Sequence, residues 1–310
     1  MSSVKDYAAG AAIKGLVSVI IPTYNRAEYV VEAIASALAQ DHAPKQIIVV
    51  DDGSTDDTAR RVAAFGGVEY CHQPNRGQGA ARNLGLARAR GEYVASLDSD
   101  DLWDADFLSR SVACLERFRL DFVFTNWTKA RGAEVSASEW LRDGKWRAYR
   151  RRLEGEWSLL APAEVRKLFL EICPAPSSSL VLRRDAIVTG WGERMRVADD
   201  WYLLLEAALT RPRRAAFTLT PRWTKRADGT NVYDGQPYVE TVRKLYLHDY
   251  ELFRRDFRPL LTRRERLALA RRAAAYRLRL RLHEAARTDL GARLRIPLLL
   301  ARLRDLLKHS

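Results

Sequence analysis

Cysteine, histidine and long apolar runs are what this chain has little of. Its 310 residues include three cysteines, Cys71, Cys114 and Cys173, and no CxxC pair. That excludes a disulfide scaffold and a thiolate-built zinc site, and it suits a reducing compartment. The five histidines (His42, His72, His248, His283 and His309) stand at no metal-ligand spacing, and no Ser–His or Cys–His signature is present. No apolar run approaches the roughly 20 residues that span a bilayer. The N-terminal MSSVKDYAAGAAIKG lacks the long apolar stretch of a secretory signal. The expectation is a soluble cytoplasmic protein. Disorder is excluded as well: 47% of the residues are hydrophobic and 29% charged, enough to bury a sizeable core.

Charge is unevenly placed. The net charge is +13, but residues 262–310 hold 14 Lys or Arg against four acids, which is +10. The body is therefore close to neutral, with room for an acidic site. In the basic segment Leu267, Ala270, Ala274, Leu278 and Leu282 share one helical face, and arginines crowd the remainder. Gly291 breaks the run and IPLLLARLRDLL (296–307) follows. A basic amphipathic helix can lie on an anionic membrane, at the inner face of the cell membrane for a cytoplasmic protein, or can pack on the rest of the chain. Both readings stand.

Residues 16–102 alternate strand and helix. LVSVIIP (16–22), QIIVVDD (46–52) and EYVASLD (92–98) are continuous apolar runs, as expected of strands buried on both faces. VEYCHQ (68–73) is a shorter strand. Helices are predicted over 27–40, where Val30, Ile34, Ala37 and Leu38 have helical spacing, over 56–65 with Ser54 and Thr55 as caps, and over 77–90. Such alternation means an α/β fold, a mostly parallel sheet with helices on both faces. Ligands then bind at the carboxyl ends of the strands.

Polar groups collect at those ends. Pro22-Thr23-Tyr24-Asn25-Arg26 follows the first strand, Asp51-Asp52-Gly53-Ser54 the second, and Asp98-Ser99-Asp100-Asp101 the fourth. Each alone reads as ordinary turn chemistry; three on one sheet edge read as a site. Two carboxylates two residues apart repel, and a divalent cation neutralises them. Oxygen-only ligation favours magnesium or manganese over zinc. A lone DxD pair remains a weak signal.

Residues 103–230 change character. All eight tryptophans fall there (Trp103, Trp127, Trp140, Trp146, Trp157, Trp191, Trp201 and Trp223), and two or three are expected to stack on a saccharide, the rest to fill core. The polar stretch 131–158, with Arg142, Lys145, Arg147 and Arg150-Arg151-Arg152, reads as an excursion or lid. SSSLVL (177–182) leads into a further strand, and VADDW (197–201) precedes an apolar helix over 202–209. Residues 238–256 and 262–308 look helical.

Four ordered motifs, VSVIIPTYNR (17–26), IIVVDDGSTDDT (47–58), NRGQGAARNLGLARARGEYVASLDSDD (75–101) and VADDW (197–201), resemble the inverting family 2 glycosyltransferases of GT-A fold. The resemblance covers roughly residues 16–231. It departs from the family at Asp199-Asp200, where Glu-Asp is usual, and at Ala105, where Pro is common. It departs again at Arg226-Ala227-Asp228-Gly229-Thr230, where an Arg-His-Pro-Gly-Ser-like loop is common. The resemblance implies a nucleotide-binding half (16–102), an acceptor-binding half (103–231), an N-terminal tail (1–15) and a basic helical region (232–310). It implies that Tyr24 stacks on the base, with Pro22, Thr23 and Asn25 beside it, and that Asp51 and Asp52 accept hydrogen bonds from base or ribose. Asn75, Gly77, Arg82 and Asn83 would shape the pocket, with Arg82 alternatively pairing Asp52 or Asp98. Asp98 would contact ribose beside Ser99, and Asp100 would ligate a Mn or Mg cation. Asp200 would be the general base, with Asp199, Trp201 and Ser178 toward the acceptor.

The implied reaction moves a sugar from a nucleoside-diphosphate sugar to a hydroxyl of a glycan or lipid-linked glycan. One direct displacement inverts the anomeric carbon and needs a base but no nucleophilic residue. Two other readings compete. A sugar-nucleotide pyrophosphorylase would need a glycine-rich, Arg- and Lys-bearing phosphate loop where PTYNR stands. A nucleic-acid-binding protein would use the basic tail, but no recognised nucleic-acid motif accompanies it.

Overall fold

The computed structural model describes residues 11–131, 134–137, 148–226 and 242–288. The chain divides into two compact units, one of Met1–Glu193 with Asp199–Asp228, the other of Arg194–Ala198 with Gly229–Ser310.

The first unit is built on one sheet. β1 (Ile13–Thr23), β2 (Lys45–Asp51), β3 (Val68–His72) and β4 (Gly91–Ser96) lie in the order β3-β2-β1-β4, all parallel. The register sets Thr23 opposite Asp51, so β1 and β2 end at one level, while β4 ends three residues short of that level with Ser96 opposite Ile20. The apolar runs are buried on both faces, as their lack of alternation predicts. Val17, Val19 and Ile21 join a core with Val30, Ala33, Ile34 and Ala37 of helix α1 (Ala27–Leu38). Helix α3 (Gln78–Arg88) packs against β1, with Gly85 over Ile20. Between them, α2 is short, Thr58–Val62.

The sheet continues past β4 with one reversed strand, after which two strands resume the sense of β4. After β5 (Asp101–Trp103) and α4 (Phe107–Phe118) come β6 (Phe122–Arg131), β7 (Glu134–Ala137), β8 (Leu153–Glu154), β9 (Trp157–Leu160), α5 (Pro162–Glu171), β10 (Leu180–Arg183), α6 (Asp199–Thr210) and β11 (Ala215–Arg226). β10 is antiparallel to β4 and to β6, β11 runs parallel to β6, and β5 and β9 pair antiparallel with β11. In the second unit the described helices are a π-helical segment Val242–Asp249, α7 (Tyr250–Asp256) and α8 (Arg263–Thr288).

Some expectations are corrected. Ser54 and Thr55 do not cap α2. They are taken up by Asn25, whose N–H donates to Ser54 Oγ (2.9 Å) and whose Oδ1 accepts the Thr55 N–H (2.8 Å). The helix therefore starts three residues after Thr55. All six tryptophans among the described residues (Trp103, Trp127, Trp157, Trp191, Trp201 and Trp223) are buried, so none of them offers a face to a sugar. Trp140 and Trp146 lie outside the described residues, as do Arg142, Lys145, Arg147 and residues 227–230. The rest of the 131–158 excursion contains sheet: β7 pairs antiparallel with β6, and β8 and β9 form a hairpin around Gly155. The leucine face predicted for the tail is turned outward. Leu267 and Leu278 of α8 are exposed, while Leu269 and Ala273 are buried. Residues 289–310, with Gly291 and the IPLLL run, lie outside the described residues.

The α3–β1 contact has no slack. A methyl at Gly85 would sit 2.4 Å from Ile20 Cγ2, inside van der Waals contact. Gly85→Ala should cost about 1–3 kcal/mol, seen as a lower urea midpoint with unchanged slope.

Candidate active site

Three loops lie at the carboxyl ends of β1, β2 and β4; hydrogen bonds join the first two, and an ion pair between Arg26 and Asp100 (3.9 Å) reaches the third. After β1, Asn25 adopts φ 50°, a conformation asparagine tolerates better than most residues, and its amide side chain bridges to the β2 loop. Tyr24 beside it is 47% exposed, free to present its ring, whereas Pro22 and Thr23 are buried. The Thr23 hydroxyl is buried without a hydrogen-bond partner among the described residues.

At the end of β2 the two acids are already engaged. Asp51 accepts from the Ser54 N–H and from the Tyr70 hydroxyl, each at 2.7 Å. Desolvation and the Asp51 carboxylate push the Tyr70 phenol well up, so it stays a donor. Asp52 accepts from Gln73 Nε2 (2.6 Å), the Arg76 N–H (2.9 Å) and the Gly77 N–H (2.7 Å). It thereby fixes the exposed loop 74–77 that leads into α3. Gly77 has φ 90°, which favours glycine there. Asn75 is exposed on this loop. Asn83 points elsewhere: its side chain exchanges hydrogen bonds with both the N–H and the carbonyl of Trp191, each 2.8 Å, and pins that segment to α3.

The acid loop after β4 is organised by Ser178 and Arg82. Ser178 Oγ donates to Asp101 Oδ2 (2.6 Å) and accepts the Asp98 N–H (3.0 Å), so this acceptor candidate is a buried post under the loop. Ser99 and Asp100 are buried as well. Burial, and then the charge of Asp98, push the Asp100 carboxyl up, and Arg26, 3.9 Å away, opposes that. Lys225, paired with Asp101 across the β5–β11 ladder, also faces this acid group. Arg82 is buried and reaches Asp98 with one guanidinium nitrogen, Asp199 with another, and Ser96 Oγ with Nε (3.2 Å). Of the pairings open to Arg82, Asp98 is the one formed, and Asp199 is added.

Asp199 and Asp200 form the first turn of α6, so the helix starts earlier than 202. Asp199 is buried between Arg82 and Gln78 Nε2 (2.7 Å). Gln78 stands four residues before Arg82 on α3, a spacing visible in the sequence. Asp200 has different neighbours. Its Oδ1 accepts the Trp201 N–H (2.6 Å) and lies 3.7 Å from the Cys173 thiol. Burial first, then the charge of Asp199, raise its carboxyl to about 7. The Trp201 indole is buried and donates to the Phe169 carbonyl. Neither Tyr70, Gln73 nor Cys173 was singled out by sequence. The first two are found only once β3 is known to lie beside β2; Cys173 carries no local signal.

Two carboxylates fit a divalent cation that arrives with substrate phosphates, which is how magnesium is usually held. The buried Asp100 carboxyl is repelled by Asp98, and Asp101 Oδ1 is buried without a hydrogen-bond partner among the described residues. No group of three or more ligating side chains preforms a cage among the described residues.

The family model for glycosyl transferase family 2 matches residues 18–191. A glycosyltransferase of Rickettsia conorii is 42% identical over 116 residues, 36% of this chain and 19% of that protein. Chondroitin synthase of Escherichia coli is 40% identical over 110 residues, 34% of this chain and 16% of that protein. The matched stretch thus spans about a fifth of the length of these relatives. Among solved structures, the mannosyltransferase PcManGT from Pyrobaculum calidifontis, in complex with GDP-Man and Mn2+, has a TM-score of 0.56 at 21% identity over 94% of this chain and 83% of that one.

Because Asp200 holds its proton more tightly when folded than when unfolded, ionising it opposes folding. Between about pH 4 and 7 the native state binds the extra proton, so stability falls as pH rises. Asp200→Asn should therefore be more stable than the parent at pH 8, by on the order of 1–3 kcal/mol, and the gain should vanish near pH 4 in paired urea titrations.

Proposed function

The chain belongs to glycosyl transferase family 2 and is a transferase; from that premise we propose that it is an inverting enzyme that moves a sugar from a nucleoside-diphosphate sugar to a hydroxyl of a glycan or lipid-linked glycan. The observation that carries the reading is the half-buried Asp200 carboxyl at the head of α6, raised to about 7 and close in sequence to the Asp199 that Arg82 ties to the acid loop. A group near neutrality is suited to accept a hydroxyl proton in the transition state. A polysaccharide product fits the chondroitin synthase match, and a nucleotide-sugar donor fits the GDP-Man of the Pyrobaculum calidifontis neighbour. The family match leaves neither a pyrophosphorylase nor a nucleic-acid-binding protein favoured.

In this reading Tyr24 stacks on the base, and the Thr23 hydroxyl and the loop held by Asp51 and Asp52 line the nucleoside. Asp100 would hold a Mn or Mg cation, with Asp98 toward the ribose; such a cation would supply countercharge to the leaving diphosphate. Arg26 and Lys225, which already face Asp100, lie on the same side of the charge balance. The acceptor hydroxyl attacks the anomeric carbon opposite the diphosphate as Asp200 takes its proton. One displacement breaks the sugar–phosphate bond, forms the glycosidic bond and inverts the centre. Asp199 is a positioning residue, since Arg82 and Gln78 occupy it. A lipid-linked acceptor would bring the enzyme to the inner face of the cell membrane. No helix among the described residues is long and apolar enough to cross one.

Screening sugar nucleotides with manganese for protection against thermal unfolding identifies the donor. With it, Asp200→Asn should lower turnover by roughly 10²–10⁴-fold while donor protection persists, and the parent's rate should climb through pH 7 to a plateau. Asp199→Asn should instead lose stability, because it leaves the buried Arg82 short of a charge partner. Normal turnover by Asp200→Asn would place the base elsewhere.

Cation dependence is a separate test. Excess EDTA, or Asp100→Asn, should abolish transfer while the thermal midpoint of the donor-free protein is kept or raised, since Asp100 gives up an unfavourably buried charge. Full activity in EDTA would remove the metal role.

A further inference from the structure

Helix α8 offers two opposite faces. Leu269 and Ala273 are buried on one. At 100° per residue, Arg263, Arg264, Leu267, Arg271, Ala274, Leu278 and Arg281 fall on the other, within an arc of about 100°. Every member of that set is exposed, and the two leucines are 52% and 43% exposed. The stripe runs about 27 Å along the helix. A helix that only packed on its own unit would carry leucine inward and leave arginine outside. Here large leucines stand outside with the arginines.

The charges on this stripe are not spent on acids among the described residues. Arg277 pairs with Glu251, and Arg243 of the preceding segment pairs with Glu284. By contrast Arg263, Arg264, Arg271 and Arg281 make no ion pair among the described residues. Four exposed guanidinium groups therefore flank two exposed leucines on one line. Guanidinium groups take phosphate oxygens in pairs, and leucines gain by leaving water for acyl chains. A nucleic acid would use the arginines but has no use for the leucines. A second copy of the chain would meet the same unpaired positive charge.

We infer that this outer face of α8 is a docking surface for an anionic lipid bilayer, with Leu267 and Leu278 entering the headgroup–acyl boundary and Arg263, Arg264, Arg271 and Arg281 on the lipid phosphates. The inference deepens the lipid-linked acceptor reading by naming the surface. Its test does not depend on transfer chemistry.

The full-length protein is sedimented with vesicles of phosphatidylcholine alone or with phosphatidylglycerol at a third of the lipid. Retention is expected on the anionic vesicles only, falling as salt shortens the range of the charges. The double variant Leu267→Asn/Leu278→Asn should bind about tenfold or more weakly at equal salt, because the apolar insertion is gone. Arg271→Gln/Arg281→Gln should lose affinity and flatten the salt dependence. Far-ultraviolet circular dichroism should be unchanged in both, as all four positions are exposed. Equal retention on neutral vesicles overturns the inference, and so does undiminished binding by the leucine variant. It is likewise overturned if duplex DNA displaces the vesicles with the leucine variant unaffected. The same holds if lipid-free protein sediments as a dimer that the leucine variant dissociates.

Discussion

One guanidinium ties the candidate site together. Arg82 leaves water completely, and a cation can do so only if its charge and its donors are met where it ends up. Asp98 and Asp199 meet the charge, and Ser96 accepts from Nε. The two acids come from the loop after β4 and from the start of α6, more than a hundred residues apart in sequence, and Arg82 comes from α3. A shift in any of the three elements would strand a buried charge, so the arrangement resists deformation. It also divides labour between neighbours: Asp199 is neutralised by Arg82, whereas Asp200, one residue on, has no such partner at hydrogen-bond distance among the described residues and keeps a raised affinity for protons.

The same logic of satisfied groups explains why Asp52 looks structural here. Three donors of its own chain converge on it, two of them backbone N–H groups of residues 76 and 77. A carboxylate has about four acceptor positions, so one is left for a ligand. What Asp52 chiefly does is hold the loop that starts α3, and so indirectly the helix that carries Arg82.

The parallel half of the fold was legible because it is written in local pattern. Continuous β-branched runs, each ending in polar residues, place β1, β2 and β4 and their carboxyl ends. The antiparallel half was less legible. β10, β6 and β11 are ordered by pairing between distant segments, which no local period announces, and the tryptophans that suggested a sugar platform turn out to fill that interior. Within the site, acid spacing singled out Asp98, Asp100, Asp199 and Asp200. It did not separate Asp199 from Asp200 by environment, since that difference comes from Arg82 and Gln78. In α8 the sequence grouped Leu267, Ala270, Ala274, Leu278 and Leu282 on one face and left open whether that face packs. Leucine spacing tells which residues lie together, but burial chose the face built on Leu269 and Ala273 instead.

Asp249 is fully buried at the end of the π-helical segment. Its carboxylate accepts the N–H groups of Arg196, Val197 and Ala198, each at 2.9 Å, and its Oδ1 lies 2.7 Å from His248 Nδ1. Those three amides belong to the stretch of chain that runs straight into Asp199. Trimming the protein at residue 229, where the family match has already ended, would look like the removal of a dispensable appendage. It would instead leave three consecutive peptide groups without the anion that receives them, immediately upstream of the acid pair. The C-terminal boundary of a minimal active fragment therefore lies beyond Asp249.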